Sequence, residues 1–141
     1  LTGGAGADTF SFAAGSSGGI PSATVFDKIT DFEKGSDIID GPGNLTIATA
    51  GNAKIAATAG IATFDSADNT LALKLVALAT SITTGTTNAN ETAIFEDAGN
   101  SYVFISDGVD GLSANDVLIQ LTGITGLTSG TITAANDLTI A

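Results

Sequence analysis

The sequence contains no cysteine, no histidine, no methionine and no tryptophan. Without cysteine it can form neither a disulfide nor a thiolate zinc site, and without histidine it lacks the other common ligand of transition metals. The absence of histidine also excludes catalytic triads and general bases that depend on imidazole. A metal ion bound by this chain would therefore be held mainly by oxygen atoms.

Basic residues are also scarce, because four lysines and no arginine stand against fifteen acidic residues, for a formal net charge of -11. This charge repels nucleic acids and disfavours anionic membrane surfaces. The longest apolar stretch, residues 71–79, is interrupted by Lys74 and is far shorter than the roughly 20 residues that cross a bilayer. We therefore expect no nucleic acid and no membrane insertion. The natural partner is a hard divalent cation such as Ca²⁺, although an acidic surface also serves solubility alone.

The hydrophobic fraction of 43% and the mean hydropathy of +0.37 indicate a folded chain despite its richness in glycine, alanine, threonine and serine. Short runs of β-branched and aromatic residues alternate with glycine, asparagine and aspartate, which is typical of a β protein. Strands are predicted at residues 9–12, 28–32, 61–64, 93–96, 102–106 and 117–122.

A hairpin and a helix are the two clearest local predictions. The sequence Asp97-Ala98-Gly99-Asn100 supplies turn chemistry between two alternating segments and predicts a hairpin. Leucines and one isoleucine recur at helical spacing in residues 69–83, which predicts a helix capped by Asp68. Because Leu71, Leu73 and Leu75 also alternate, a strand remains open there.

The sharpest motif is a glycine-rich nonapeptide near the start, formed by Gly3, Gly4, Ala5, Gly6, Ala7, Asp8, Thr9, Phe10 and Ser11. It matches every position of the repeat found in calcium-binding parallel β-rolls. Glycines permit positive φ and can turn carbonyl oxygens inward, Asp8 adds a charged oxygen, and Phe10 points into the interior. One repeat supplies half a site. A plain glycine-rich turn is the alternative, whereas a phosphate loop is excluded because Asp8 would repel the ligand.

A second acidic cluster follows at residues 26–40. Asp27 and Asp31 are four residues apart on a predicted strand and should share one face with Ile29. Asp37 follows a turn at Gly35 that could fold it back toward the same ion. A solvated edge strand followed by turn residues would explain these carboxylates equally well without any bound ion.

This cluster resembles a known junction, through Asp27, Ile29, Asp31, Phe32, Gly35, Asp37, Ile39 and Asp40. The arrangement is similar to the end of the β-roll in RTX proteins, the hemolysin-type calcium-binding repeat family exported by type I secretion. Serralysin-type proteases and RTX-type S-layer proteins carry it. The resemblance implies that Asp27, Asp31 and Asp37 help complete the last calcium sites. Gly41 departs from the family, which usually has an apolar residue there.

The C-terminal part carries a second stretch of likeness. Residues 100–108 and 116–123 resemble the last hairpin of RTX S-layer proteins, and residues 136–141 resemble their acidic-then-apolar tail. The resemblance implies an uncleaved signal read by the ABC exporter of a type I secretion system, and a secreted, extracellular or cell-surface location. Because the sequence begins without methionine or a signal peptide, we expect Leu1 to be a fragment boundary.

The loop that contains Asp107, Asp110, Asn115 and Asp116 is a weaker candidate for a further calcium site. It lacks the alternating oxygen ligands of an EF-hand, and turn formation by aspartate and glycine is the favoured alternative. No pair of carboxylates is singled out for glycoside hydrolysis, and substrate-gripping aromatic residues are scarce. We therefore expect no enzyme activity in these residues.

These observations predict a mainly β fold with a short calcium-binding parallel β-roll stub at residues 1–43. An antiparallel β cap with one helix and the secretion signal is expected at residues 44–141, in one compact unit. The expected function is non-catalytic: Ca²⁺ binding, type I secretion and calcium-triggered folding of a larger protein. The alternatives are an S-layer or lattice module that self-assembles at the cell surface, and the terminal cap of an adhesin.

Overall fold

The computed structural model describes residues 1–48, 55–81 and 89–141, and these form eleven strands and one helix. The expected fold class, mainly β with one helix, is confirmed. The elements are β1 (Thr9–Ser11), β2 (Asp27–Ile29), β3 (Ile38–Asp40), β4 (Thr46–Ile47), β5 (Ile55–Thr58), β6 (Ile61–Phe64), α1 (Leu71–Ser81), β7 (Glu91–Asp97), β8 (Asn100–Ile105), β9 (Val117–Leu121), β10 (Gly130–Ile132) and β11 (Leu138–Ile140).

The strands form two mixed sheets, and both sheets join the start of the chain to its end. The smaller sheet has the order β1-β3-β11-β10, and the larger has the order β2-β9-β8-β7-β6-β5 with β4 also paired to β7. β1 pairs with β3 in parallel, and β2 pairs with β9 in parallel. β3 then pairs with β11 in antiparallel fashion. Parallel and antiparallel pairing therefore occur in both sheets rather than in separate halves of the chain.

The predicted hairpin is confirmed by β7 and β8, which pair from Thr92↔Ile105 to Asp97↔Asn100. Ala98 and Gly99 form its two-residue loop, with φ of 47° and 79°. Positive φ at both loop residues is the signature of a type I′ turn, whose twist matches that of the flanking strands. Glycine at position 99 adopts this conformation without steric cost.

The predicted helix is confirmed as α1, and the strand alternative for this segment is wrong. Its capping residue is Thr70 rather than Asp68, because Leu73 N donates to Thr70 Oγ1 at 3.3 Å and the helix begins directly after Thr70. Asp68 instead belongs to the preceding turn, where its N–H donates to Asp65 O. Residues 82 and 83 of the predicted helix lie outside the described residues. In the described ranges no helix has the length and apolarity that a bilayer span requires.

The larger sheet is covered on both faces, which explains the nearly continuous apolar sequences of β8 and β9. Successive side chains of these strands point to opposite faces and enter different cores. One core joins the larger sheet to the smaller and includes Phe10, Ile39, Ile94, Val103, Ile119, Leu138 and Ile140. The other lies under the helix and includes Leu71, Leu75, Leu78, Phe95, Tyr102, Phe104 and Leu118.

Four aromatic rings form a row across the helix-covered face of the larger sheet. Phe95 stacks on Tyr102 with centroids 5.4 Å apart, and Phe64 meets Phe95 edge-on at 5.4 Å. Phe26 meets Tyr102 edge-on at 6.0 Å. The ammonium of Lys74 lies 5.7 Å from the Phe64 ring, within the range of a cation–π contact. The row therefore links β6, β7 and β8 by side-chain contacts as well as by main-chain hydrogen bonds.

Candidate calcium site at the glycine loop

Residues 1–12 lie in parallel alongside residues 28–40, and this arrangement builds the candidate site. Thr30 N donates to Leu1 O at 3.0 Å, and Ile38 N donates to Asp8 O at 2.9 Å. The register of β1 and β3 continues the same alignment, with Thr9 opposite Ile38. The glycine-rich motif therefore lies directly beside the second acidic cluster predicted from the sequence.

The glycine loop, residues 3–8, has the backbone conformation that its glycines were predicted to permit. Gly4 and Gly6 have φ of 104° and 115°, a region that residues with a side chain rarely enter. Gly3 is required for a different reason, since a Cβ there would lie 2.5 Å from Asp8 Oδ2. Ala5 lies exposed between Gly4 and Gly6. The Asp8 carboxylate is thus folded back against the Cα of Gly3.

Asp31 reaches the glycine loop, although not by the predicted route. β2 ends at Ile29, so the prediction that Asp27 and Asp31 share one face of a strand is wrong. The Asp31 carboxylate instead accepts hydrogen bonds from Gly4 N at 2.9 Å and Gly3 N at 3.0 Å. These two backbone donors, Gly4 first, lower the pKa of Asp31 by stabilising its charged form.

Asp37 connects the two parallel segments from a buried position. Its Oδ1 accepts a hydrogen bond from Asp8 N at 3.0 Å, and its Oδ2 accepts one from Glu33 N at 2.8 Å. The predicted turn at Gly35 is present, with φ of 76° and a hydrogen bond from Asp37 N to Glu33 O. This turn folds the Asp37 side chain back onto the base of the glycine loop.

The Asp8 carboxylate contains a buried oxygen atom that lacks a hydrogen-bond partner. This atom, Oδ2, is shielded from solvent. A carboxylate oxygen in that state costs free energy unless an opposite charge compensates it. Together with the carboxylates of Asp31 and Asp37 and the loop carbonyls, it offers the hard oxygen ligands that Ca²⁺ takes.

The described residues contain no group of three or more acidic side chains close enough to hold a metal ion by themselves. Calcium takes 6 to 8 oxygen ligands, and the Asp31 and Asp37 oxygens already accept backbone hydrogen bonds. The carboxylates of the loop therefore do not form a metal site by themselves, and the half site expected from one repeat stays a prediction.

Three other predicted ligands lie apart from the glycine loop. Asp27 accepts a hydrogen bond from Ser16 Oγ at 3.0 Å. Asp107 accepts hydrogen bonds from Val109 N at 2.8 Å and from Ser113 Oγ at 2.6 Å, within its own turn. Asp110 is exposed. Asp107 therefore acts as a turn residue, which was the favoured alternative for this loop.

Asp116 is the organising residue of this turn, although the sequence analysis gave it no role of its own within the acidic cluster. It is fully buried, and its two oxygens accept hydrogen bonds from Asp107 N at 2.9 Å and Ser113 N at 2.7 Å. Burial, with a smaller contribution from the charge of Asp107, raises the pKa of Asp116 to about 6. Its place directly before the apolar strand β9 was the signal for burial.

The raised pKa of Asp116 predicts a loss of stability as the pH rises. Between the ordinary value of 3.8 and about 6, the folded carboxyl keeps its proton while the unfolded one has lost it. The free energy of unfolding therefore falls through this window by at most about 3 kcal/mol and is level above it. Urea unfolding between pH 4 and pH 7 measures the slope.

The matched variant for this measurement is Asp116→Asn, which removes the titrating group. Other carboxylates change stability with pH in the opposite sense, as the lowered pKa of Asp31 does, so the difference between the two proteins is the relevant quantity. We expect this difference to change between pH 4 and pH 6. Parallel pH profiles for the two proteins would show that Asp116 titrates normally.

The chain has no match among protein-family models, and no curated protein is significantly similar to it.

Proposed function

We propose that this chain is the non-catalytic, calcium-binding C-terminal region of a larger RTX-type protein that is exported by type I secretion. The observation that carries the proposal is the Asp8 carboxylate, whose Oδ2 is shielded and without a hydrogen-bond partner inside a glycine loop that matches the RTX repeat. A calcium ion at this loop supplies the missing positive charge.

Parallel pairing at a nearly constant step supports the proposal. Thr2 contacts Thr30 and Gly3 contacts Asp31 across 28 residues, while Asp8 contacts Asp37 across 29. Successive turns of a parallel β-roll lie beside one another in this way, with loops at one side of the strands. We therefore propose that the glycine loop and the Asp31–Asp37 segment correspond to neighbouring turns of such a roll.

The ligands that we assign are the Asp8 carboxylate and main-chain carbonyls of Gly3, Gly4, Ala5 and Gly6. Asp31 and Asp37 hold the loop in shape through its amides, and a carboxylate oxygen with one hydrogen bond keeps a lone pair for a cation. Asp27, whose carboxylate accepts a hydrogen bond from Ser16 Oγ apart from the glycine loop, is not assigned as a ligand. The carboxylates of Asp107 and Asp110 belong to a separate turn and are not part of this site.

Calcium binding on this surface changes the balance between folded and unfolded chains. With a net charge of -11, the carboxylates repel one another when calcium is scarce, as it is in the cytosol. Binding outside the cell neutralises part of this charge, and the binding free energy becomes folding free energy. An ABC exporter therefore receives a chain that is less stable and more readily unfolded, and folding stabilised by calcium on the outer side prevents its return.

A calcium titration of chelator-treated protein tests the proposal. Calcium is added from about 10⁻⁷ to 10⁻² M, which covers the dissociation constants of sensor and extracellular sites, while circular dichroism and thermal unfolding are followed. We expect saturable binding and a rise in unfolding free energy of about 2.7 kcal/mol when calcium reaches 100 times its Kd. The variant Asp8→Ala should lose this rise.

The control is Glu33→Gln, which removes one exposed charge near Asp37 without touching the glycine loop. It should keep the calcium response of the natural chain. Asp8→Ala in the presence of chelator should remain folded, because the lost Oδ2 made no hydrogen bond. The absence of calcium binding by the natural chain, or an unchanged response of Asp8→Ala, would sink the proposal.

A further inference from the structure

A recess on the helix side of the larger sheet has a volume of about 420 Å³. It lies between β6, the turn that precedes α1, the first turns of α1 and the end of β7. Volumes of roughly 300 to 1,000 Å³ are typical of sites for small molecules. Its walls include Ile61, Phe64, Asp65, Asp68, Lys74 and Glu96.

The recess carries more negative than positive charge. Three of its lining residues are acidic, and Lys74 is the basic one. The Lys74 ammonium is already neutralised, because it forms a 2.8 Å ion pair with Asp97 and also donates to Glu96 O at 2.8 Å. The negative charge of the lining is therefore left for a cation from solution.

Asp68 differs from the other two acidic residues of the recess. Asp65 Oδ1 accepts a hydrogen bond from Ala67 N, and Glu96 Oε1 accepts one from Leu127 N. Asp68 is 7% exposed, and its Oδ2 is shielded without a hydrogen-bond partner. Because water does not reach this oxygen, the negative charge of Asp68, which lines the recess, is weakly screened.

The surroundings of Asp68 select an organic cation over a metal ion. No group of three or more acidic residues within residues 1–48, 55–81 and 89–141 is compact enough to hold a metal. The walls beside the carboxylates are apolar, with Ile61, Ala62 and Phe64. The Phe64 ring already attracts one ammonium, that of Lys74 at 5.7 Å. A ligand with an ammonium group and an apolar body can contact the carboxylates with the first and the apolar side chains with the second.

We propose that this recess binds a small primary amine with an apolar body, such as an arylalkylammonium ion. The ammonium lies against the Asp68 side chain, and the apolar body lies against Ile61 and Phe64. The proposal concerns a different face of the molecule from the glycine loop and does not depend on calcium binding.

Three probes of nearly equal shape test this inference by ¹H–¹⁵N NMR at neutral pH: benzylamine, benzyl alcohol and benzoate. We expect benzylamine to shift the amides of residues 61–69 and Glu96 in a saturable manner. Benzyl alcohol should bind about tenfold more weakly because it lacks the charge, and benzoate should not bind. Equal affinity for benzylamine and benzyl alcohol would overturn the proposal.

The variant Asp68→Asn removes the charge and keeps the shape of the side chain. We expect its affinity for benzylamine to fall about tenfold, while Asp110→Asn, the same change at an exposed position, keeps the natural affinity. Thermal unfolding provides a second reading, since Asp68→Asn should melt no lower than the natural chain when an unpartnered buried charge is removed. Unchanged amine affinity in a folded Asp68→Asn variant would refute the assignment.

Discussion

Phe95→Ala is expected to reduce the free energy of unfolding by about 3 to 5 kcal/mol. The Phe95 side chain is fully buried beneath the helix, where it stacks on Tyr102 and meets Phe64 edge-on. Its removal loses buried apolar area, leaves a cavity and breaks both ring contacts. Urea unfolding in the presence of chelator, followed by circular dichroism, measures the loss independently of any bound ion.

Val76→Ala is the matched control for this prediction, because Val76 lies on the outer side of the same helix and is 53% exposed. Its effect should stay within about 0.5 kcal/mol of zero. A loss below about 1 kcal/mol for Phe95→Ala would show that the helix and the larger sheet do not form one closely packed core.

Asp37→Ala is expected to cost about 3 kcal/mol, because it leaves two backbone donors without a partner at once. Asp37 is buried and accepts hydrogen bonds from Asp8 N and Glu33 N, which belong to different segments of the chain. No water replaces these bonds fully at a buried position. Unfolding in chelator measures the loss, and hydrogen exchange at the amides of Asp8 and Glu33 should become faster.

Asp40→Ala separates this role from a general loss of negative charge. Asp40 belongs to β3, and its carboxylate accepts one exposed hydrogen bond, from Ser11 Oγ at 2.8 Å. Its removal should cost no more than about 1 kcal/mol. Equal losses for Asp37→Ala and Asp40→Ala would contradict the view that Asp37 joins the two parallel segments.

The parts of the fold that were predictable from the sequence are those set by local chemistry. The hairpin at Ala98-Gly99 follows from turn residues between two apolar strands, and the helix follows from leucines at helical spacing. The cap was assigned wrongly because Asp68 and Thr70 are both suitable residues, and only the position of the first helical turn decides between them.

Strands that depend on distant partners were not predictable. β3, β10 and β11 have three residues each, too few for an alternating pattern to be recognised. β3 and β11 pair across about a hundred positions, as Leu138 does with Ile39, and β10 enters the sheet only through β11. Intrinsic preferences for strand are weak compared with such tertiary contacts.

The candidate calcium site was predictable in its composition but not in its geometry. The positive φ of Gly4 and Gly6 follows from the repeat itself. The position of Asp31 does not follow from the sequence, because β2 ends at Ile29 and the Asp31 carboxylate turns toward the amides of the glycine loop. The recess at Asp68 had no signal at all, since Phe64, Lys74 and Glu96 meet there only through the packing of three elements.

The strand order also determines when this chain can fold. β2 has its partner in β9, and β3 has its antiparallel partner in β11, so each sheet stays open until residues 117–140 are present. Contacts that span such long stretches of chain must close large loops and form slowly. A ribosome that releases this chain from its first residue onward therefore produces no closed sheet until its last strands emerge. That delay follows from topology alone and operates at every calcium concentration.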